Sequence, residues 1–263
     1  MASSRSEDDE RGSGTAAVQS VGTTLALIEA LQERNGAGVT TLADDLGYSK
    51  STVHKHLATL RSEDFVVKNG DVYSLGLRFL DVGGQVRANF RGADRIKQKV
   101  RALSQQTGEL VQFITEERGR PIVLYREVGT NGVNSRTRVG KRLYLHQIAA
   151  GKAILANLPE ARVTEIVARH GLPRATDATI TNRAALGEEL ATIRERGVSY
   201  SLGESTRGLN AVAVPMFAPD DEVLGACVIS GPSHRLRGQL LEEDLPSVLL
   251  GAVNELELNI TYE

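Results

Sequence analysis

The chain has 263 residues, of which 41% are hydrophobic and 24% charged, and its formal net charge is −2. This length suits two domains, and the hydrophobic content is sufficient for packed cores. The single cysteine, Cys227, excludes an internal disulfide and a metal site of several cysteines, and the small negative charge excludes a generally basic nucleic-acid-binding coat.

The N-terminal residues 1–17 are polar and rich in Ser, Gly, Asp and Glu, which predicts a disordered tail. They lack the pattern of a signal peptide, and no apolar run in the chain is long enough for a membrane span. We therefore expect a soluble cytoplasmic protein without a membrane partner. No residue pattern predicts a cofactor or a bound metal.

A first helix is predicted at about residues 20–34, where the sequence Asn-Gly-Ala-Gly ends it. Its apolar residues recur at helical spacing and predict one buried stripe. The residues of that stripe are Val21, Leu25, Ile28 and Leu31.

Residues 39–62 predict two further helices joined by a tight turn. Thr40 or Thr41 is expected to cap the first of them, and Gly47 to end it in a left-handed conformation. Ser49 is expected to cap the second helix. The buried stripe of that second helix consists of Val53, Leu57 and Leu60.

A hairpin is predicted directly after these helices, at residues 65–73, because β-forming residues flank the turn Asn69-Gly70. Helix, turn, helix and hairpin in this order predict a winged helix-turn-helix. Such a motif places its second helix in the major groove of DNA.

The second helix offers a local surface suited to DNA, although residues 18–74 hold five Lys/Arg against seven Asp/Glu. Residues 49–62 contain cations and hydroxyls but no acid. Hydroxyls and histidine contact base edges, whereas Lys and Arg hold phosphates or guanine. His56 points closer to the buried side, and we expect it to be a packing residue. The predicted DNA-binding residues are Ser49, Lys50, Ser51, Thr52, His54, Lys55, Thr59, Arg61, Lys68 and Asn69.

Residues 75–92 are predicted to form a linker helix whose apolar positions, such as Leu80 and Val82, pack on a partner. The longer stretch 75–101 carries seven Lys/Arg against two Asp, a net charge of +5. This charge fits either a surface that steers the DNA duplex or an ordinary solvated helix face, and the residues alone leave both interpretations open.

The remainder of the chain alternates helices and strands in an order that predicts an α+β domain with a mostly antiparallel sheet. An amphipathic helix is expected to end at Gly108. Strands are predicted at residues 110–115, 121–128, 198–202, 210–215 and 224–230. Further helices are predicted at 148–157, 159–170, 182–196 and 240–260.

A basic, glycine-containing loop at residues 140–148 runs into a helix that starts with small residues. Small residues let a ligand approach the backbone N–H groups, where the helix dipole favours an anion such as a carboxylate. The run Gly151-Lys152-Ala153 lacks the glycine and hydroxyl of a phosphate loop. His146 lacks a nearby nucleophile and fits a structural histidine, so we predict no enzyme. Lys152 is expected on the helix exterior or bonded to the subunit interior.

Four segments in a fixed order identify a family resemblance that covers roughly residues 18–260. They are Leu46–Val53 with the following hairpin and Tyr73–Gly76, the loop and helix start at Gly140–Ala153, the segment Glu204–Pro215, and Ile229–Pro232. In these segments the chain resembles the IclR family of transcriptional regulators. The resemblance implies a winged helix-turn-helix, a linker helix and a C-terminal effector domain with a GAF-like fold.

The resemblance also implies homodimers, and often pairs of dimers, that bind palindromic operators on double-stranded DNA. It implies a small-molecule effector, an organic acid or an aromatic catabolite. The chain departs from the family at Ser201, where an acid is common, and at Ala211, where a cysteine is common. The candidate effector-binding residues are Leu143, Leu145, His146, Ala149, Ala150, Gly151, Ser201, Glu204, Ala211 and Ser230.

We therefore predict a tail at 1–17, a DNA-binding domain at 18–74, a linker at 75–92 and an effector-binding and oligomerisation domain at 93–263. Two other functions stay open on the residues alone. One is a small-molecule-binding module or enzyme whose N-terminal unit only mediates protein contacts, and the other is an architectural DNA binder without an effector.

Overall fold

A computed structural model describes residues 18–133 and 137–261, so the predicted tail at 1–17 lies outside the described residues. The chain forms two compact units, which divide between Val86 and Arg87. Within the described ranges, no helix has both the length and the apolar character needed to cross a membrane.

The N-terminal unit consists of helices and one hairpin in the order expected of a winged helix-turn-helix. Its elements are α1 (Gln19–Arg34), α2 (Val39–Leu46), α3 (Lys50–Ser62), β1 (Val66–Asn69), β2 (Val72–Leu75) and α4 (Arg78–Ala88), the last of which contains the point of division. Gly47 ends α2 with φ +68°, and the Ser49 hydroxyl caps α3 by accepting from the Thr52 N–H at 3.1 Å. The buried stripe of α3 is as predicted, with Val53 and Leu57 fully enclosed.

The structure corrects three local predictions in this unit. In α1, Leu31 is buried and Ile28 packs on the core as predicted, but Val21 and Leu25 are 54% and 55% exposed, because this part of the helix turns Leu27 into the core instead. In α2 the N-cap is Gly38 rather than Thr40 or Thr41, so that helix begins at Val39. The hairpin pairs Asn69 with Val72, which leaves Gly70-Asp71 as its two-residue turn.

The C-terminal unit is built on a five-stranded sheet of order β4-β3-β7-β6-β5 in which every neighbouring pair is antiparallel. This arrangement confirms the predicted α+β class. The strands are β3 (Leu110–Glu117), β4 (Arg120–Val128), β5 (Ser199–Leu202), β6 (Leu209–Phe217) and β7 (Val223–Pro232). The helices are α5 (Ala93–Thr107), α6 (Ala149–Ala156), α7 (Glu160–His170), α8 (Arg183–Arg196) and α9 (Leu245–Thr261), and a short π-helical segment (Leu240–Asp244) precedes α9.

Side chains alternate across this sheet and form two separate cores. One face carries Phe113 and Cys227, among others, and packs against α5 and α9. Cys227 is fully buried there, and burial raises the pKa of its thiol to about 12. The other face carries small residues such as Ala211 and Ala226, and it packs against α6, α7 and α8.

The position of α6 depends on Gly151. A side chain at this residue would overlap the backbone carbonyl of Leu145 and lie 2.6 Å from its Cα atom. Leu145 belongs to a single 3₁₀ turn (Leu145–Gln147) that precedes the helix. The absence of a side chain therefore lets the first turn of α6 rest directly on the preceding backbone.

Gly151→Ala is expected to destabilise the C-terminal unit by about 1–3 kcal/mol, because the added methyl must displace backbone rather than a flexible side chain. Gly187→Ala in α8 is the matched control, since its new methyl would meet only a guanidinium nitrogen at 3.6 Å. That substitution is expected to stabilise the unit by about 0.5–1 kcal/mol through helix propensity. Urea unfolding of both variants measures the difference, and equal free energies of unfolding would contradict this account of the packing.

Candidate functional site

The predicted DNA-binding residues lie together on the outer side of α3 and on the hairpin. Thr52 is half-buried, and the other nine are exposed to solvent. The Ser49 oxygen lies 2.9 Å from the Ser51 hydroxyl and 2.8 Å from the Thr52 hydroxyl, so three hydroxyls surround the start of α3. With Lys50 beside them, hydroxyls and a helix N-terminus form a surface suited to a phosphate.

The hairpin and the start of α4 are fixed to this unit by aromatic contacts. The Lys68 ammonium lies 5.3 Å from the centre of the Tyr73 ring, which holds it near the hairpin. Arg78 lies over the Phe65 ring at 4.7 Å and donates to the Glu63 carbonyl. The first contact lies within the hairpin, and the second fixes the start of α4 against the segment that joins α3 to β1.

His56 is half-buried and links two helices instead of facing outward. Its Nδ1 atom lies 2.8 Å from the Thr24 hydroxyl of α1. This contact agrees with the expected packing role.

In the C-terminal unit, a cavity of about 240 Å³ lies at the N-terminus of α6, on the alanine-rich face of the sheet. We call it the α6 cavity. Six of the predicted effector-binding residues line it: Leu143, Ala149, Ala150, Ser201, Ala211 and Ser230. The rest of its lining consists of Gln112, Ile114, Thr137, Lys141, Gln147, Ile148, Ser205, Thr206, Leu209 and Val228.

The cavity presents donors for an anion. No side chain caps α6, and the N–H groups of its first turn have no acceptor within the helix. Hydroxyls of Ser201 and Ser230 line the same space, and of the residues described around it only Lys141 carries a formal charge. Helix dipole, hydroxyl groups and one ammonium together favour a carboxylate.

Four predicted effector-binding residues lie outside the α6 cavity: Leu145, His146, Gly151 and Glu204. Leu145 is buried in the core, and Gly151 contacts its backbone. His146 is also buried, and its Nε2–H donates to the Pro173 carbonyl at 3.0 Å. Burial lowers the pKa of His146, partly opposed by that hydrogen bond, and a neutral structural histidine is the result.

Glu204 contacts Lys152 instead of the cavity. Lys152 is 1% exposed, and its ammonium lies 2.7 Å from a carboxylate oxygen of Glu204 and 3.1 Å from one of Glu189. We expected Lys152 either on the helix exterior or bonded to the subunit interior, and the structure shows the second arrangement. Burial raises the pKa of the Glu204 carboxyl, against the opposing effect of the Lys152 charge.

Two glutamines near the cavity were not among the candidates. Gln112 is 5% exposed in the middle of β3 and donates to the Thr137 hydroxyl at 3.2 Å. Gln147 donates to the Pro173 carbonyl at 2.8 Å. A buried amide within the apolar run of β3 is a signal that a polar group lies opposite, and it was visible in the sequence.

Two family models match the chain. "IclR helix-turn-helix domain" matches residues 20–70, and "Bacterial transcriptional regulator IclR C-terminal" matches residues 91–256. Both describe regulators of transcription and not enzymes.

Similar proteins that align with most of this chain are also transcriptional regulators. The probable HTH-type transcriptional regulator ArcR of Halobacterium salinarum is 30% identical over 92% of this chain and 94% of its own length. The transcriptional repressor IclR of Escherichia coli is 30% identical over 93% and 90%. The crystal structure of the Thermotoga maritima IclR has a TM-score of 0.77 at 24% identity, covering 93% of this chain and 99% of that one, and it shows the fold.

His146→Gln tests the buried neutral histidine. Because the folded state holds the pKa of His146 below its usual 6.5, the unfolded chain takes up the proton more readily, and stability falls as the pH drops below about 6.5. The variant is expected to lose less stability between pH 7.5 and pH 5.5 than the parent. Urea unfolding at both pH values measures this, with His234→Gln, at an exposed site of the same unit, as the control. An unchanged pH dependence in the His146 variant would contradict the assignment.

Proposed function

Since this chain belongs to the IclR family of DNA-binding transcriptional regulators, we propose that a small organic acid bound in its α6 cavity controls how it binds an operator. On this proposal residues 18–74 bind DNA, 75–92 form the linker, and 93–263 bind the effector and oligomerise. The protein acts in the cytoplasm, on double-stranded DNA.

The observation that carries the effector proposal is the set of donors at the start of α6. A carboxylate at this point would accept from first-turn N–H groups and from the hydroxyls of Ser201 and Ser230. The remainder of a small acid would contact Leu143, Ala211 and their neighbours. Because Ser201 and Ala211 differ from the common family residues, the preferred acid differs from that of relatives with an acidic residue and a cysteine there.

Apolar residues left uncovered in the N-terminal unit support a homodimer. On α1, Val21 and Leu25 are more than half exposed. Leu77, directly before α4, is 84% exposed, and Leu80 and Val86 within α4 are each 69% exposed. Contiguous apolar patches mark interaction sites, and we expect a second copy of the chain to cover these residues. Two copies related by a two-fold axis would present two α3 helices to a palindromic operator, and the C-terminal unit would allow pairs of dimers.

Lys55→Ala and Ser51→Ala test the DNA-binding face. Each is expected to weaken operator binding by about 1–3 kcal/mol, because each removes a contact in the major groove. The measurement is a gel shift with DNA from upstream of the protein's own gene. Arg169→Ala removes an exposed charge from α7 and is expected to bind like the parent. No shift by folded parent protein at low salt would contradict DNA binding there, and parent-like binding by both α3 variants would contradict the chosen face.

Thermal unfolding with pyruvate, D-gluconate and 3-hydroxybenzoate tests the effector. At least one acid is expected to raise Tm, because a ligand that binds only the folded state stabilises it. Ser230→Ala is expected to weaken binding of that acid by about 1.5–3 kcal/mol, because a hydrogen bond to a charged group is lost. Ser233→Ala, outside the cavity lining, is the control. Stabilisation by none of the acids would contradict the proposed effector class and favour an architectural DNA binder.

A further inference from the structure

The loop at residues 203–208 joins β5 to β6 and forms one wall of the α6 cavity through Ser205 and Thr206. Gly203 and Gly208 bound it with φ of +73° and +75°, in the left-handed region. Within this loop Glu204 is buried, while the other residues are half-buried or exposed. Glu204 is therefore the buried side chain of this loop, and the loop backbone is held at its other end, where the Gly208 carbonyl accepts from the Ser233 N–H at 2.8 Å.

The side chain of Glu204 is anchored by Lys152. A charge this deeply buried needs a partner, because desolvation is costly and removal of one partner leaves the other uncompensated. Glu189 also contacts the ammonium but is 25% exposed and shared with Arg196 at 3.4 Å, so Glu204 is the more enclosed partner.

The backbone of Glu204 is held as well. Its carbonyl accepts a hydrogen bond from the Thr179 hydroxyl at 2.7 Å, and the Thr176 hydroxyl donates to the carbonyl of the preceding residue, Gly203, at 2.8 Å. Both threonines are buried. These bonds fix where the Glu204 backbone lies, and the ion pair fixes the direction of its side chain.

Lys152 lies on the same helix as the proposed carboxylate site. Ala149 and Ala150, which line the cavity, precede it by three and two residues in α6. Gly151 seats this turn on the Leu145 backbone, so the turn has little freedom to shift. One rigid turn thus contacts the cavity on one side and anchors the opposite loop wall on the other.

We propose that Lys152 is a positioning residue, which sets the affinity of the α6 cavity by holding the 203–208 loop through Glu204, without touching the ligand. This inference rests on the proposed effector function of the cavity. When the ion pair between Lys152 and Glu204 is removed, the loop occupies the position seen in this structure for only part of the time. If that fraction falls to about one tenth, the apparent Kd rises about tenfold.

A second ion pair on the same loop provides a built-in comparison. Arg207 lies 2.6 Å from Asp177, but the two side chains are 77% and 83% exposed. Exposed pairs of this kind contribute little, since water and salt screen them. Arg207 can therefore be replaced with small effect, and it is a suitable place for a reporter.

The experiment uses a single tryptophan, because the chain contains none. Arg207→Trp is made in the full-length protein, and because this site is already exposed, the fluorescence anisotropy of the new side chain, which falls as the loop moves more freely, reports loop mobility without ligand. Lys152→Met and Glu204→Ala are then added separately, with Glu204→Gln as the conservative variant, since its amide oxygen still accepts from the Lys152 ammonium. The three acids named above are titrated against each protein.

Lys152→Met and Glu204→Ala are expected to lower the anisotropy and to raise the Kd of the bound acid about tenfold. Glu204→Gln is expected to recover most of the anisotropy and affinity, and Arg207→Trp alone to bind like the parent. Circular dichroism establishes that each variant is folded. If Lys152→Met does not fold, the comparison of Glu204→Ala with Glu204→Gln decides.

Unchanged anisotropy in a folded anchor variant overturns the proposal, even if affinity falls, because the loop was then not held by this pair. Lowered anisotropy with an unchanged Kd overturns it as well. If the parent binds none of the acids, the proposed effector class fails on its own. The anisotropy comparison still tests the anchor in that case, and equal anisotropy in Arg207→Trp with and without the anchor substitutions rejects it.

Discussion

The close packing of α6 on its surroundings is the constraint on which the C-terminal unit depends. Alanine side chains from the helix and from β6 and β7 face each other. Because Gly151 has no side chain, the helix also packs directly against the Leu145 backbone. Larger residues would push the helix away from the sheet. The same small residues leave room at the helix start, so the packing that fixes α6 also leaves the α6 cavity open.

In the N-terminal unit, the corresponding constraint is the division of α3 into two faces. Val53, Leu57 and Leu60 are buried in the core of this unit, which commits the opposite side of the helix to solvent. That side holds hydroxyls and cations without an acid, although its domain is acidic overall. On the proposed interface, DNA affinity depends on where a few charges lie, and the net charge of the chain carries little information about it.

Much of the fold could be predicted from the sequence, because periodicity and capping act locally. The cap at Ser49, the left-handed Gly47 and the stripe of α3 follow from neighbouring residues alone. In α1, however, apolar residues occupy two faces, and only tertiary packing decides that Leu27 is buried while Leu25 is not. The residues at the cavity show the same contrast. The positions of Ala149 and Ala150 could be predicted from the start of the helix, but the contact between Glu204 and Lys152 joins residues 52 positions apart. No local pattern predicts such a contact.

The burial of Cys227 has a consequence for how the protein can receive a signal. Its thiol is enclosed in the core, and a pKa of about 12 keeps it protonated at physiological pH, so it is a poor nucleophile. As this is the single cysteine of the chain, a signal carried by thiol oxidation or thiol alkylation finds no reactive cysteine to act on.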